Sequence, residues 1–152
     1  MSLYDDPQRP SFIIDGELYV SAGALYYIKE KHNTYFLIQQ RKDKEYIEDI
    51  GGKSSIGDKS IEDVVKRETL EELNCIARND LQPKNNPITE SLLDSYLSTS
   101  EQILIPNSKY VLFLVKLPGT ERFDLTQYLD AEYDAYGNIN IMRKLKWVLK
   151  SN

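Results

Sequence analysis

The segment from Ile61 to Leu73 constrains the fold of this chain more than any other, because its apolar residues recur at helical spacing. Ser60, directly before it, is a favourable N-cap, and Asp63 follows three residues later as in a capping box. Asn74 tolerates the left-handed conformation in which helices often end. We therefore predict a helix that starts after Ser60 and stops near Asn74.

The same helix carries three glutamates, Glu68, Glu71 and Glu72, near its carboxyl end. At about 100° per residue, Glu68 and Glu72 fall on the side of the apolar stripe and Glu71 lies at its border. Like charges at these spacings cost roughly 0.2–0.5 kcal/mol per pair, and they face the negative end of the helix dipole. A solvated acidic face is one interpretation, and a divalent cation held by converging carboxylates is the other.

Composition limits the kind of site that these carboxylates can form. The 152 residues include one cysteine, Cys75, and one histidine, His32. An internal disulfide and metal sites that need several imidazoles are thereby excluded, whereas carboxylates suit Mg²⁺ or Mn²⁺. The net charge of −5 provides no global basic field for nucleic acid, and the apolar runs are too short to span a bilayer.

Length and the polar amino terminus predict one cytoplasmic domain over residues 1–152. Within it, residues 1–12 are expected to be a poorly ordered lead-in. We expect no membrane partner.

The rest of the chain predicts strands around the helix. Short aromatic and aliphatic runs separated by a turn indicate a strand pair, and an alternating run that enters Gly51-Gly52 indicates a short strand followed by a tight loop to Ser60. The most apolar run, closed by Pro118-Gly119, predicts a mid-sheet strand buried on both faces. These predicted strands are Ala22–Ile28, Tyr35–Gln40, Tyr46–Ile50 and Tyr110–Leu117.

Three further segments are ambiguous between helix and strand. Residues 88–97 and 102–105 fit either structure. Residues 141–149 fit a helix through Ile141, Leu145 and Val148, or a strand through Leu145, Trp147 and Leu149, and we favour the helix.

The glycine pair, followed by Arg67-Glu68-Thr69-Leu70-Glu71-Glu72, resembles the Nudix box, written G-x5-E-x7-R-E-U-x-E-E-x-G-U with U a bulky aliphatic residue. The resemblance extends from Gly52 to Cys75. It implies an α/β/α sandwich around a mixed sheet and a hydrolase that depends on Mg²⁺ or Mn²⁺. The implied substrate is a small nucleotide-type molecule, a nucleoside diphosphate linked to another moiety.

Carried over by position, the resemblance assigns roles within the box. Glu68, Glu71 and Glu72 are the expected metal-binding carboxylates, and Gly52 is expected to offer a backbone carbonyl. Glu68, or a residue from a later loop, is the expected base toward water, and Glu71 is also expected to take part in catalysis. Arg67 is expected to brace the box by pairing with a carboxylate. The catalytic set is therefore Glu68, Glu71 and Arg67.

Substrate contacts are expected from Arg41, Lys53 and the distal Glu132. The box departs from the family pattern in its length, because the stretch from Gly52 to Arg67 is one residue longer than usual. Either Asp58 or Lys59 then fills the position of the first glutamate, and we prefer Asp58. Thr69 replaces an aliphatic residue, Asn74 replaces the late glycine, and Cys75 fills the last apolar position.

Two other functions remain open at this stage. An RNA-decapping enzyme would use the same chemistry, although the acidic net charge argues against a long nucleic-acid footprint. A non-catalytic binding module with the same fold is the second alternative, and the intact glutamates argue against it. A homodimer is compatible with either function.

Overall fold

The computed structural model describes residues 9–41, 47–74, 89–118, 132–133, 139–140 and 143–150. Only the backbone is described at 41, 73–74, 132–133, 139–140 and 143–146. Two helices are present, α1 (Ile61–Asn74) and α2 (Glu90–Leu97), together with a 3₁₀ turn at Pro106–Ser108. The strands are β1 (Phe12–Ile14), β2 (Glu17–Tyr19), β3 (Ser21–Glu30), β4 (Asn33–Arg41), β5 (Ile47–Glu48), β6 (Ile50–Lys53), β7 (Glu101–Ile105), β8 (Tyr110–Lys116), β9 (Glu132–Tyr133), β10 (Ile139–Asn140) and β11 (Arg143–Leu149).

Seven strands form the main sheet in the order β11-β4-β3-β8-β7, with β5 added to β4 and β6 added to β3. The sheet is mixed, because β3 and β8 run parallel and their neighbours pair antiparallel. The parallel pair requires a crossover, and α1 lies within it. This confirms the predicted α/β class with a mixed sheet.

The core lies between the two helices and one face of the sheet. Alternate residues of β3, from Ala22 to Ile28, point to this face, as the period of two in a strand requires. They pack with Val64 and Val65 of α1 and with Leu93 of α2, all fully buried. The described helices therefore cover one face of the sheet.

The predicted helix and strand pair agree with the structure. Helix α1 starts at Ile61 and reaches Asn74, and the Ser60 hydroxyl accepts a hydrogen bond from the Asp63 amide at 3.2 Å. The two ambiguous segments after α1 resolve into helix α2 and strand β7.

The favoured helix at residues 141–149 is wrong, because Arg143–Leu149 is strand β11. This segment pairs with β4 along its whole length, from Arg143 opposite Arg41 to Leu149 opposite Tyr35. Its apolar residues satisfied both periodicities, and pairing with a neighbouring strand decided between them.

Two details of the predicted strands also need correction. Gly51-Gly52 belongs to strand β6 rather than to a tight loop, because both residues pair with β3. Strand β8 is internal as predicted, but only alternate residues, Val111, Phe113 and Val115, are fully buried. The other face of β8 is half-buried.

The end of the expected lead-in contacts the sheet. Phe12 begins β1, and the fully buried Ser54 donates its hydroxyl to the carbonyl of Pro10 at 2.5 Å. Within the described ranges, neither helix is long and apolar enough to cross a membrane.

Candidate active site

The loop between β6 and α1 is organised around Asp58. A turn runs from Ser55 to Asp58, whose amide donates to the Ser55 carbonyl at 3.0 Å. Gly57 in this turn has φ +100°, a conformation that side chains disfavour. The Asp58 carboxylate in turn accepts from the Ser55 amide at 2.8 Å, so the loop presents this acid toward α1.

Arg67 joins the loop to the helix. Its Nη2 donates to Asp58 Oδ2 at 3.0 Å and to the carbonyl of Lys53 at 2.8 Å. Its Nη1 donates to Glu68 Oε1 at 3.1 Å and reaches Glu71 Oε1 at 3.4 Å. Burial lowers the pKa of Arg67, but the Asp58 hydrogen bond and the surrounding carboxylates outweigh it and raise the pKa above its usual value. The structure thus pairs Arg67 with carboxylates of the helix and of the loop, with Asp58 as a principal partner.

Glu68 rests directly on the backbone of Gly52. A Cβ at Gly52 would lie closer to Glu68 Oε1 than real Cβ atoms approach, with Glu68 Cδ at 2.7 Å. The Glu68 side chain is only 14% exposed. Burial raises its pKa above the ordinary value, and the neighbouring Arg67 opposes that shift. Glycine at position 52 therefore allows a buried carboxylate to lie against the end of β6.

The other two glutamates differ in exposure and partners. Glu71 is 39% exposed and shares Arg67 with Glu68. Glu72 is half-buried and near enough for its charge to contribute to the raised pKa of Glu68. Among the side chains that the structure describes, no three histidine, cysteine or acidic groups converge as a ready-made metal site.

The threonine that departs from the family pattern has a structural role. Thr69 is fully buried, and its Oγ1 lies 2.6 Å from the hydroxyl of Tyr26 on β3. Burial raises the pKa of Tyr26, and the hydrogen bond with Thr69 opposes that shift. This buried polar pair fixes α1 against the sheet one residue away from Glu68.

The predicted substrate contacts are only partly brought to this site. Lys53 ends β6 beside Arg67 and has an exposed side chain. Arg41 lies in β4 opposite Arg143, and Glu132 lies in β9 opposite Asn140. The side chains of Arg41 and Glu132 lie outside the described part of the chain.

Sequence reasoning missed a further acid, Asp49, which directly precedes the first residue of β6. The Tyr110 hydroxyl of β8 donates to Asp49 Oδ2. A Cβ at Gly23 would collide with both groups, and a Cβ at Gly51 would collide with the Tyr110 hydroxyl. Burial raises the pKa of Asp49, while the Tyr110 hydrogen bond opposes the shift. Burial, the Asp49 charge and the more distant Glu68 charge all raise the pKa of Tyr110. The available signal was the pair of adjacent acids, Glu48 and Asp49, inside the predicted strand Tyr46–Ile50.

Asp49 and Tyr110 form the polar end of an open groove on the face of the sheet opposite the described helices. The groove has a volume of about 520 Å³. Most of its lining is apolar and comes from six strands, β3, β4, β5, β7, β8 and β11. Phe36, Ile38 and Leu112 belong to this apolar lining.

The arrangement combines a charged cluster with an apolar groove. Glu68 is a mostly buried carboxylate, and Glu71 and Glu72 on the same helix carry further carboxylate oxygens, the ligand type that hard cations prefer. An apolar groove of the volume typical for small ligands lies on the other side of the same short strand.

No protein-family model matches this chain, and no match was found among curated proteins. Among solved structures, the crystal structure of C. elegans Ap4A hydrolase is similar, with a TM-score of 0.42 and 16% sequence identity. The match covers 84% of this chain and 79% of that chain.

Proposed function

We propose that this chain is a Nudix-type pyrophosphohydrolase that hydrolyses a diphosphate linkage in a nucleoside diphosphate derivative and requires Mg²⁺ or Mn²⁺. The observation that carries the proposal is the Glu68 carboxylate, mostly buried, seated on Gly52 and bridged by Arg67 to Asp58. These contacts join residues of the segment that resembles the Nudix box, in which the stretch from Gly52 to Arg67 is one residue longer than usual.

The donor chemistry of the site fits a hard divalent cation. Glu68, Glu71 and Glu72, with the Gly52 carbonyl, are the groups that would hold it, because carboxylate and carbonyl oxygens are its preferred ligands. Arg67 now contacts Glu68 and Glu71, so a cation would share these carboxylates with it. When bound, the cation would neutralise phosphate oxygens and lower the pKa of a water molecule.

The protein side chains would perform the proton transfer and the positioning. Burial raises the pKa of Glu68, which makes this carboxylate a better proton acceptor than an exposed glutamate. It would take a proton from water as the water oxygen bonds to phosphorus and the bond from phosphorus to the bridging oxygen breaks. Arg67 would keep Glu68 oriented, and Lys53 at the end of β6 would face the anionic substrate.

The test is a diphosphate-hydrolysis assay with a panel of nucleotide sugars, dinucleoside polyphosphates, oxidised nucleotides and capped RNA. We expect turnover of at least one class with Mg²⁺ or Mn²⁺ and none in excess chelator. We also expect Mg²⁺ to raise the melting temperature, because a ligand that binds only the folded state stabilises it. Undiminished turnover in chelator would refute the metal requirement.

One observation favours a second candidate, a non-catalytic binding module of the same fold. Arg67 pairs with both Glu68 and Glu71, and no three acids in the described ranges converge as a metal site. The same panel separates the candidates, because a binding module would bind a member of the panel without hydrolysing it.

A further inference from the structure

The groove beside Asp49 has an unusual chemical character for a protein expected to handle phosphates. Its described lining contains apolar residues, the acids Glu48 and Asp49 and the hydroxyl of Tyr110, and includes no lysine or arginine. An anionic group would therefore be repelled from the groove. An uncharged flat group would bury apolar surface against side chains such as Phe36, Ile38 and Leu112.

Asp49 has the capacity to accept a further hydrogen bond in this groove. Its carboxylate accepts from the Tyr110 hydroxyl and from its own backbone amide. An ionised carboxylate offers about four acceptor positions, so these two donors leave acceptor capacity. Gly23 provides the space around the carboxylate, because a Cβ there would collide with it, and a Cβ at Gly51 would collide with the Tyr110 hydroxyl.

We propose that Asp49, held by Tyr110, is a specificity-determining residue that selects a substrate whose ring system carries an exocyclic amino group. The ring would lie on the apolar lining, and the amino group would donate to the Asp49 carboxylate. The phosphates would remain outside the groove, because Glu48 and Asp49 would repel them. This inference rests on the proposed function, because it names the part of the substrate that enters the groove.

The first experiment compares two diphosphate substrates that differ in one group, an adenosine derivative and the corresponding purine riboside derivative without the 6-amino group. We expect kcat/KM to be about tenfold to a hundredfold higher for the amino-bearing substrate, since loss of one hydrogen bond to a carboxylate that the bound ring shields from water weakens binding by about this factor. Guanosine and inosine derivatives, which differ in the 2-amino group, form a second matched pair. Equal kcat/KM values within both pairs would overturn the inference.

The second experiment changes the acid itself. In Asp49→Asn, the amide oxygen can still accept from Tyr110, and the amide nitrogen turns a donor toward the groove. We expect this variant to lose or reverse the preference for the amino-bearing ring. Glu48→Gln is the matched control, because it removes the neighbouring acid of the same groove, and we expect the preference to remain. An equal loss in both variants would assign the effect to the general charge of the groove and would overturn the role of Asp49.

Binding of plain nucleosides separates failure of this inference from failure of the proposed function. Adenosine and purine riboside carry no phosphate, so their calorimetric binding tests the groove without hydrolysis. Preference for adenosine in a protein that hydrolyses nothing would support the groove and refute the enzyme. Hydrolysis with no preference in wild type would support the enzyme and refute the groove.

A groove-filling variant, Leu112→Trp, tests whether nucleosides bind in the groove. If Leu112→Trp leaves nucleoside binding intact, the groove is not the binding site. If the same change instead disrupts a dimer measured by sedimentation, a second copy is the occupant, and the inference fails.

Discussion

Two acidic regions lie on opposite sides of strand β6, and they are assembled in different ways. On the Gly52 side, Glu68 shares Arg67 with its neighbours on α1 and the preceding loop, so the carboxylates are paired with a cation. On the Gly51 side, Asp49 is held by the neutral hydroxyl of Tyr110, which is 61 residues away in the chain. The residues of the first region lie close together in the sequence, whereas those of the second are brought together by strand pairing in the sheet. The comparison suggests that the first handles charge and chemistry and the second handles recognition.

The largest expected effect concerns the Gly52 side. We expect Glu68→Gln to lower kcat by roughly two or more powers of ten, as for loss of a group that acts in the transition state. Glu72→Gln should be similarly damaging and Glu71→Gln less so. The metal-free Glu68→Gln protein should be more stable than wild type by about a few tenths of a kcal/mol, because burial of that charge is relieved.

Glu62→Gln on the same helix is the matched control for this series. Glu62 lies in the first turn of α1 and contacts Gln102 rather than Arg67. We expect its turnover to equal that of wild type. Full activity in both the Glu68 and Glu72 variants would mean that the segment is an ordinary acidic helix.

The next largest effects are expected when alanine replaces each of the two glycines of β6, because Gly51 and Gly52 face opposite sides of the strand. A Cβ at Gly51 would meet backbone atoms of Ala22 and Gly23, which cannot move aside. A Cβ at Gly52 would meet the carboxylate end of Glu68, which can rotate away. We therefore expect Gly51→Ala to lower the free energy of unfolding by about 1–3 kcal/mol. Gly52→Ala should keep most stability and lose turnover.

Urea unfolding and steady-state kinetics on the two alanine variants distinguish these outcomes. If both lose the same stability, Gly52 serves the sheet rather than Glu68. If Gly52→Ala retains full turnover, the position of Glu68 against Gly52 does not matter for catalysis.

Local sequence signals predicted the elements whose determinants lie close together in the chain. The limits of α1 follow from the Ser60 cap and the helical period, and both were available in the sequence. Strand β11 was missed because its apolar residues fit two periods, and its partner β4 lies about a hundred residues earlier. A choice of that kind is made by pairing across the sheet, which a single local pattern does not contain.

In the candidate site, too, residues close together in the sequence were predicted and residues brought together by the sheet were missed. The pattern from Arg67 to Glu72 indicated the charged cluster, and the resemblance to the Nudix box implied that Arg67 would pair with a carboxylate. The preference for Asp58 agrees with its contact to Arg67, although its place in the box stays a prediction. Asp49 and Tyr110 had no shared local signal, because they are brought together only when β6 and β8 both pair with β3.

The smallest expected effect concerns the contribution of the loop before α1 to stability, and how that contribution depends on pH. The Asp63 carboxylate accepts from the Lys59 amide at 2.8 Å, and this hydrogen bond lowers its pKa below the ordinary value. A carboxyl whose folded pKa is depressed adds stability above its unfolded pKa, near 3.9, and loses it as pH falls through the folded pKa. We expect Asp63→Asn to lower stability by about a few tenths of a kcal/mol at pH 7, and the deficit should disappear toward pH 2.

Ser60→Ala is the matched comparison, because it removes the other half of the same cap. The Ser60 hydroxyl accepts from the Asp63 amide and does not titrate in this range. Its loss should therefore lower stability by about 1 kcal/mol at every pH. Urea midpoints measured from pH 2 to pH 7 should converge for Asp63→Asn and wild type and stay parallel for Ser60→Ala and wild type. If the Asp63→Asn curve also stays parallel, the hydrogen bond to Lys59 does not depend on the charge of Asp63, and the loop owes its position to Arg67 and Asp58 instead.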